Sequence, residues 1–205
     1  MSLDSLGLQK TTLVDYPGRV ACTLFTAGCN LACPYCHNPE LLRGKPPASF
    51  LPLSTILEFL AKRRKLISGV CVSGGEPLLH RDLPRLIERI HSMGFSVKVD
   101  TNGLLPGRIA ALRADYIAMD LKTAPARYPA LGGDSGSAEA IRDSMRIIRS
   151  LGIPYEFRTT MAPRIVDQAA LAEIQSLLDP ADRWVQNRFR PGRNLDPAFG
   201  SELSA

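Results

Sequence analysis

The chain has 205 residues, 45% of them hydrophobic and 22% charged, with 16 glycines, 16 prolines and a formal net charge of +5. These are the proportions of an ordinary globular protein, and at this length about 70% of the unfolded surface can be buried, so any metal site is functional rather than a staple for the fold. No run of about 18 apolar residues occurs and the start MSLDSLGLQK lacks the basic and apolar stretches of an export signal, so the expectation is a cytoplasmic protein with no membrane partner. The 25 basic residues are scattered among 20 acidic ones. KRRK at 62–65 is the one dense basic run and reads as a solvated helix face, so nucleic acid is not an expected partner.

In chain order, apolar and β-branched runs predict strands at Val20–Ala27, Gly69–Ser73, Phe95–Thr101, Tyr116–Leu121, Tyr155–Thr160 and Trp184–Phe189. Helical periodicity predicts helices between them, at Ser54–Leu66, Leu83–Met93, Pro106–Leu112, Ala138–Leu151 and Gln168–Leu178. Thr55 with Glu58 has the spacing of a capping box at the start of the first helix. In the fourth, Ile141, Met145 and Ile148 share one face. Arg43–Pro52 and Leu131–Ser137 read as loops. Alternating strands and helices imply parallel strands with right-handed crossovers. Six units are two short of a complete eight-fold barrel, and periodicity alone leaves a doubly wound sheet and a partial barrel both open.

Three of the five cysteines, Cys29, Cys33 and Cys36, lie within eight residues in the pattern C-x3-C-x2-C, directly after the first strand. Three thiolates on one short loop can converge on a 4Fe–4S cluster and leave one iron open. A structural zinc ion wants four protein ligands, and His37 is the nearby fourth. Cys22 and Cys71 lie inside apolar strands and read as buried, inert thiols.

This spacing, with Tyr35 directly before the third cysteine, resembles the radical S-adenosylmethionine superfamily. The string Asp15-Tyr16-Pro17-Gly18, Phe25-Thr26-Ala27-Gly28-Cys29-Asn30 and Cys33-Pro34-Tyr35-Cys36-His37-Asn38-Pro39-Glu40-Leu41 resembles more closely the activating proteins of anaerobic ribonucleoside-triphosphate reductase. The related pyruvate formate-lyase activators share the Tyr-Cys-His-Asn core. The resemblance continues through Ser73-Gly74-Gly75-Glu76-Pro77, Asp100-Thr101-Asn102-Gly103, Met119-Asp120-Leu121-Lys122 and Phe189-Arg190-Pro191. It implies a 4Fe–4S cluster whose open iron chelates S-adenosylmethionine. It also implies a 5′-deoxyadenosyl radical that takes a hydrogen atom from a backbone glycine of a partner glycyl-radical enzyme, here an anaerobic ribonucleotide reductase. A flavodoxin- or ferredoxin-type protein would supply the electron.

By the same resemblance, Gly74, Gly75 and Glu76 form the loop at the methionine amino group, with Glu76 holding the loop. Asp100, Thr101 and Asp120 border a monovalent cation, while Lys122 and Arg158 contact the cofactor, and Tyr35 shields the cluster or packs on adenine. The segments follow different strands yet must meet one small cofactor, which requires loops opening on one end. With no G-x-G-x-x-G after the first strand, this favours an α/β fold of partial (βα)6 barrel type over residues 1–192, with 193–205 as a loose tail. The rival readings are an activator of a pyruvate formate-lyase-type enzyme, a radical enzyme acting on a small molecule or RNA, and a zinc-binding basic adaptor.

Overall fold

All six predicted strands and all five predicted helices form in the computed structural model, which describes residues 3–42 and 44–199. The strands are β1 (Ser5–Thr12), β2 (Ala21–Thr26), β3 (Leu51–Pro52), β4 (Gly69–Gly74), β5 (Ser96–Thr101), β6 (Tyr116–Asp120), β7 (Tyr155–Met161) and β8 (Trp184–Arg188). The helices are α1 (Leu53–Arg63), α2 (Leu83–Ser92), α3 (Pro106–Ile109), α4 (Ser137–Ser150) and α5 (Gln168–Ser176). The chain forms two compact units, one of Met1–Cys29, Glu40–Thr101 and Ala111–Ile117, the other of Asn30–Pro39, Asn102–Ala110 and Ala118–Ala205.

In the first unit the strand order is β3-β1-β2-β4-β5. The pairs β2/β4 and β4/β5 are parallel, as the crossovers through α1 and α2 require. Helix α2 buries Leu83, Leu86, Ile87 and Ile90, spaced i, i+3, i+4 and i+7 on one stripe. Strands β4 and β5 contribute Val70, Val72, Val97 and Val99, none with any exposed surface. The antiparallel strands β1 and β3 are not among the predicted elements. Strand β1 reads SLGLQKTT, with an exposed polar stretch and a glycine, so it lacks the apolar signature that marks the other strands. Gly7 is there for space, since a β-carbon would lie 2.9 Å from the Phe50 ring. Pairing with β1 leaves β2 no free edge.

The expected capping box is absent. Helix α1 begins at Leu53, so Thr55 lies inside it, and Pro52 holds the N-cap position with no side-chain cap. The Leu53 N–H instead donates to the Asp4 carbonyl at 2.8 Å, which ties the helix start to the β1 side of the unit.

In the second unit the order is β6-β7-β8, with β7 and β8 parallel. Helix α4 buries Ile141, Met145 and Ile148 as its periodicity predicts, together with Ser144. Helix α5 is capped by Asp167, whose carboxylate accepts from the Ala170 N–H at 2.8 Å. Residues 193–199, expected as the start of a loose tail, fold back. The Asp196 N–H donates to the Pro34 carbonyl at 2.9 Å, and Phe199 is 5% exposed, its ring 5.4 Å from Phe189. Residues 200–205 of that expected tail lie outside the described residues. Among the described residues, no helix is long and apolar enough to cross a membrane.

Asp182 joins α4 to the loop before β8. Its carboxylate accepts from Arg149 at 2.5 Å, from the Tyr155 hydroxyl at 2.7 Å and from the Asp179 N–H at 2.8 Å. Burial alone would raise its pKa, but the Arg149 contact and the two other donors lower it below the ordinary 3.8. Asp182→Ala is expected to cost about 1–3 kcal/mol by leaving donors unpaired. A lowered folded pKa means that the wild-type advantage is full above the ordinary carboxylate range and fades as pH falls through the folded pKa. Thermal melts of both proteins across that range check the loss and its sign.

Candidate active site

Parallel pairing puts the C-terminal ends of β2, β4 and β5 on one edge of the first unit, with Thr26 opposite Gly74 and Val72 opposite Val99. Cys29 follows β2, Gly74-Gly75-Glu76 ends β4, and Asp100-Thr101 ends β5. The β4 turn is bonded to the backbone that leads into Cys29. The Gly75 N–H donates to the Thr26 carbonyl at 3.0 Å and the Glu76 N–H to the Gly28 carbonyl at 2.7 Å. A β-carbon on Gly74, whose φ is +116°, would lie 2.4 Å from the Thr26 nitrogen. One on Gly75 would lie 1.9 Å from the Gly28 oxygen. The sequence reading gives these glycines to the approach of a ligand, whereas the structure shows a prior need: they let two strand ends touch through their backbones.

Glu76 is 1% exposed, and its Oε1 accepts from the Leu78 N–H at 3.0 Å and the Thr101 hydroxyl at 2.9 Å. It therefore holds the loop that follows β4 and fixes Thr101 on β5. Asp100 receives a hydrogen bond from the ammonium of Lys98, a residue absent from the sequence reading. A lysine two residues before an aspartate in an apolar strand was the available signal, because strand periodicity places both on one face.

In the second unit, the cysteine loop is fastened along its length. The Cys36 N–H closes a turn on the Cys33 carbonyl at 3.0 Å, and the Ala32 N–H donates to the Leu131 carbonyl at 2.7 Å. Tyr35 is 6% exposed and donates its hydroxyl to the Lys122 carbonyl at 3.4 Å, its ring 5.9 Å from that of Phe199. Burial keeps that phenol protonated, well above its usual range. The His37 Nε2 lies 3.0 Å from the Arg190 carbonyl. Asn102 donates to the Asn30 side chain at 2.7 Å, and Gly103 adopts φ +78°, where a β-carbon would meet Met119 at 2.2 Å.

Asp120, at the end of β6, sits between two cations: Lys122 Nζ is 2.9 Å from one carboxylate oxygen and Arg158 Nε is 2.9 Å from the other. Burial pushes the Asp120 pKa up, but Arg158 and then Lys122 outweigh it and hold the carboxyl well below its usual range. Lys122 is held well above its ordinary value, Asp120 overcoming the opposing effect of burial. Arg158 lies mid-strand in β7. The three groups sum to one net positive charge, and the side chains of Asp120, Lys122 and Arg158 are 24%, 22% and 18% exposed.

The donor set suits thiolate ligation. None of Cys29, Cys33 and Cys36 is in a disulfide, and Cys33 is buried and the other two partly exposed. Cys22 and Cys71 are fully buried, and burial pushes the Cys22 thiol up to about 12. Among the described residues no three His, Cys, Asp or Glu side chains are grouped to hold a single metal ion, and the His37 Nε2 is already engaged.

The family described as the Radical SAM superfamily matches residues 23–175. The chain belongs to that superfamily. Its α/β class and partial-barrel type are those the motifs predict, and membership implies a 4Fe–4S cluster and S-adenosylmethionine. A Methanocaldococcus jannaschii protein provisionally named a glycyl-radical enzyme activating enzyme is 30% identical over 203 residues, 94% of this chain and 82% of its own. The 7-carboxy-7-deazaguanine synthase of Hyperthermus butylicus is also 30% identical, over 88% of this chain and 85% of its own. The pyruvate formate-lyase-activating enzyme of Clostridium pasteurianum is 27% identical over 81% and 69%. Among solved structures, Streptococcus suis SuiB bound to S-adenosylmethionine superposes with a TM-score of 0.62 at 15% identity, covering 82% of this chain and 40% of SuiB.

The backbone seam yields a test. Gly75→Ala is expected to lower the melting temperature and, in the same protein, the iron retained after anaerobic reconstitution, because relief of the clash moves Gly28 and with it Cys29. An overpacked site of this kind costs about 1–3 kcal/mol or more. Gly107→Ala, in α3 with nothing within 4 Å of its β-carbon position, is the control and should be neutral or stabilising. Normal iron content in a folded Gly75→Ala protein would show that the seam does not position the cysteine loop.

Proposed function

We propose that this radical SAM enzyme is a glycyl-radical activase, with an anaerobic ribonucleoside-triphosphate reductase as its partner. The observation that carries this reading is the match to the M. jannaschii protein along nearly the whole of both chains, and the likeness to the C. pasteurianum activator supports it. The 7-carboxy-7-deazaguanine synthase, matched at equal identity, favours a second reading in which the substrate is a small molecule. A pyruvate formate-lyase-type enzyme is the alternative protein partner.

In the proposed assignment, Cys29, Cys33 and Cys36 hold the cluster through their thiolates. A bound cluster and S-adenosylmethionine would supply radical chemistry, one electron from a flavodoxin- or ferredoxin-type donor splitting the cofactor into methionine and the 5′-deoxyadenosyl group that would take one hydrogen atom from a glycine α-carbon. The chain's own residues bind and orient. Gly74 and Gly75 present backbone at the strand edge, and Glu76 keeps that loop and Thr101 in place. Lys122 and Arg158 are cations held in place by Asp120, and they would meet the carboxylate of the methionine moiety. Tyr35 braces the turn between Cys33 and Cys36 and keeps water from it. We place the protein in the cytoplasm and take residues 1–192 as its core domain.

The reduced, reconstituted protein mixed with S-adenosylmethionine and an anaerobic ribonucleotide reductase is expected to yield a glycine-centred radical by electron paramagnetic resonance. Mutating the partner's glycine to alanine should abolish it. Cys29→Ser, Cys33→Ser and Cys36→Ser should each lose cluster iron, while Cys22→Ser and Cys71→Ser retain it. If 5′-deoxyadenosine forms but neither that reductase nor pyruvate formate-lyase acquires a radical, the activase reading fails and the small-molecule reading takes its place.

A further inference from the structure

Resemblance assigns a monovalent cation to Asp100, Thr101 and Asp120, but in the structure each of the three has other work. Asp100 accepts from the Lys98 ammonium, the Thr101 hydroxyl donates to Glu76, and Asp120 is clamped by Lys122 and Arg158. The carboxylates that would ligate an alkali ion already face protein cations, Asp100 through one oxygen and Asp120 through both. The residues present therefore do not fit a bound monovalent ion.

We infer that Lys98 is a tethered replacement for that ion, a positioning residue that acts on the cofactor site through Asp100. Its side chain is wholly buried, a placement that lysine almost never takes unless its charge is paired. The surroundings are built for one ammonium. Asp100 stands two residues on along β5 and on the same face. Cys71, which pairs with Lys98 across the β4/β5 ladder, puts its sulfur 4.0 Å from Nζ. The Tyr116 ring centroid is 5.9 Å away and offers its electron-rich face. The Asp100 side chain is 13% exposed, so the pair reaches the strand edge through the carboxylate while the ammonium stays beneath it. A cation held by the peptide chain cannot exchange with solvent. The strand edge is then neutralised in any salt, and Asp100 is fixed in one orientation.

The inference rests on the proposed function and takes Asp100, beside Thr101 at the end of β5, to border S-adenosylmethionine. Its test uses the anaerobically reconstituted protein and reads cofactor affinity by titration calorimetry in potassium, sodium or tetramethylammonium chloride at equal ionic strength. Wild type should bind equally in all three. Lys98→Met, of similar length and without charge, should bind about tenfold more weakly in tetramethylammonium, the scale of losing one charge-assisted hydrogen bond to Asp100, and should recover in potassium or sodium as an ion enters beside Asp100. Lys98→Met/Asp100→Asn, lacking both charges, should show no salt response.

Loss of wild-type affinity in tetramethylammonium overturns the tethered cation and leaves the cofactor placement standing. Lys98→Met that binds as wild type in every salt overturns both. Should Lys98→Met fail to fold, shown by its melt and iron content, the wild-type comparison decides: salt independence supports the inference and salt dependence overturns it.

Discussion

The closeness of two backbones, between the end of β4 and the residues leading into Cys29, is the constraint on which the first unit's site depends. Gly75 and Glu76 donate to Thr26 and Gly28, and neither Gly74 nor Gly75 has room for a β-carbon. Main-chain hydrogen bonds set this spacing, so it is as rigid as a sheet ladder. Glu76 inherits its position from the seam, and through Glu76 so does Thr101. The glycines thus act first on the protein itself, and any service to a ligand follows from the geometry they allow.

A second theme is internal neutralisation. The carboxylates at the ends of β5 and β6 are each met by cations of the chain, Lys98 in one unit and Lys122 with Arg158 in the other. Buried ion pairs of this kind contribute little to stability for their desolvation. What they secure is orientation and ionisation state at strand ends, the property a site for a zwitterionic cofactor needs most.

Much of this was legible in the sequence, for physical reasons that differ from element to element. The strands β2, β4, β5 and β6 are short, largely apolar runs, and burial on both faces writes them plainly into the composition. Strand β1 escaped because it is half exposed and carries a glycine, and β3 because it spans two residues, one a proline. The start of α1 was misplaced because its first N–H is satisfied from Asp4, a contact that no local pattern encodes. The cysteine spacing identified the loop, but its supports at Leu131 and Asp196 are distant in sequence and carry no motif that links them to it. Lys98 was visible and went unread, since a charge within a strand passes for a solvated one until its burial is known.

The fastening of the cysteine loop also bears on the order in which the protein matures. His37 is held by a carbonyl 153 residues further along the chain, and Pro34 and Tyr35 by Asp196 and Phe199, among the last of the described residues to be synthesised. While the chain is still being made, Cys33 and Cys36 belong to a loop without these braces. The turn that carries them cannot take its braced form before residues 190–199 have been made.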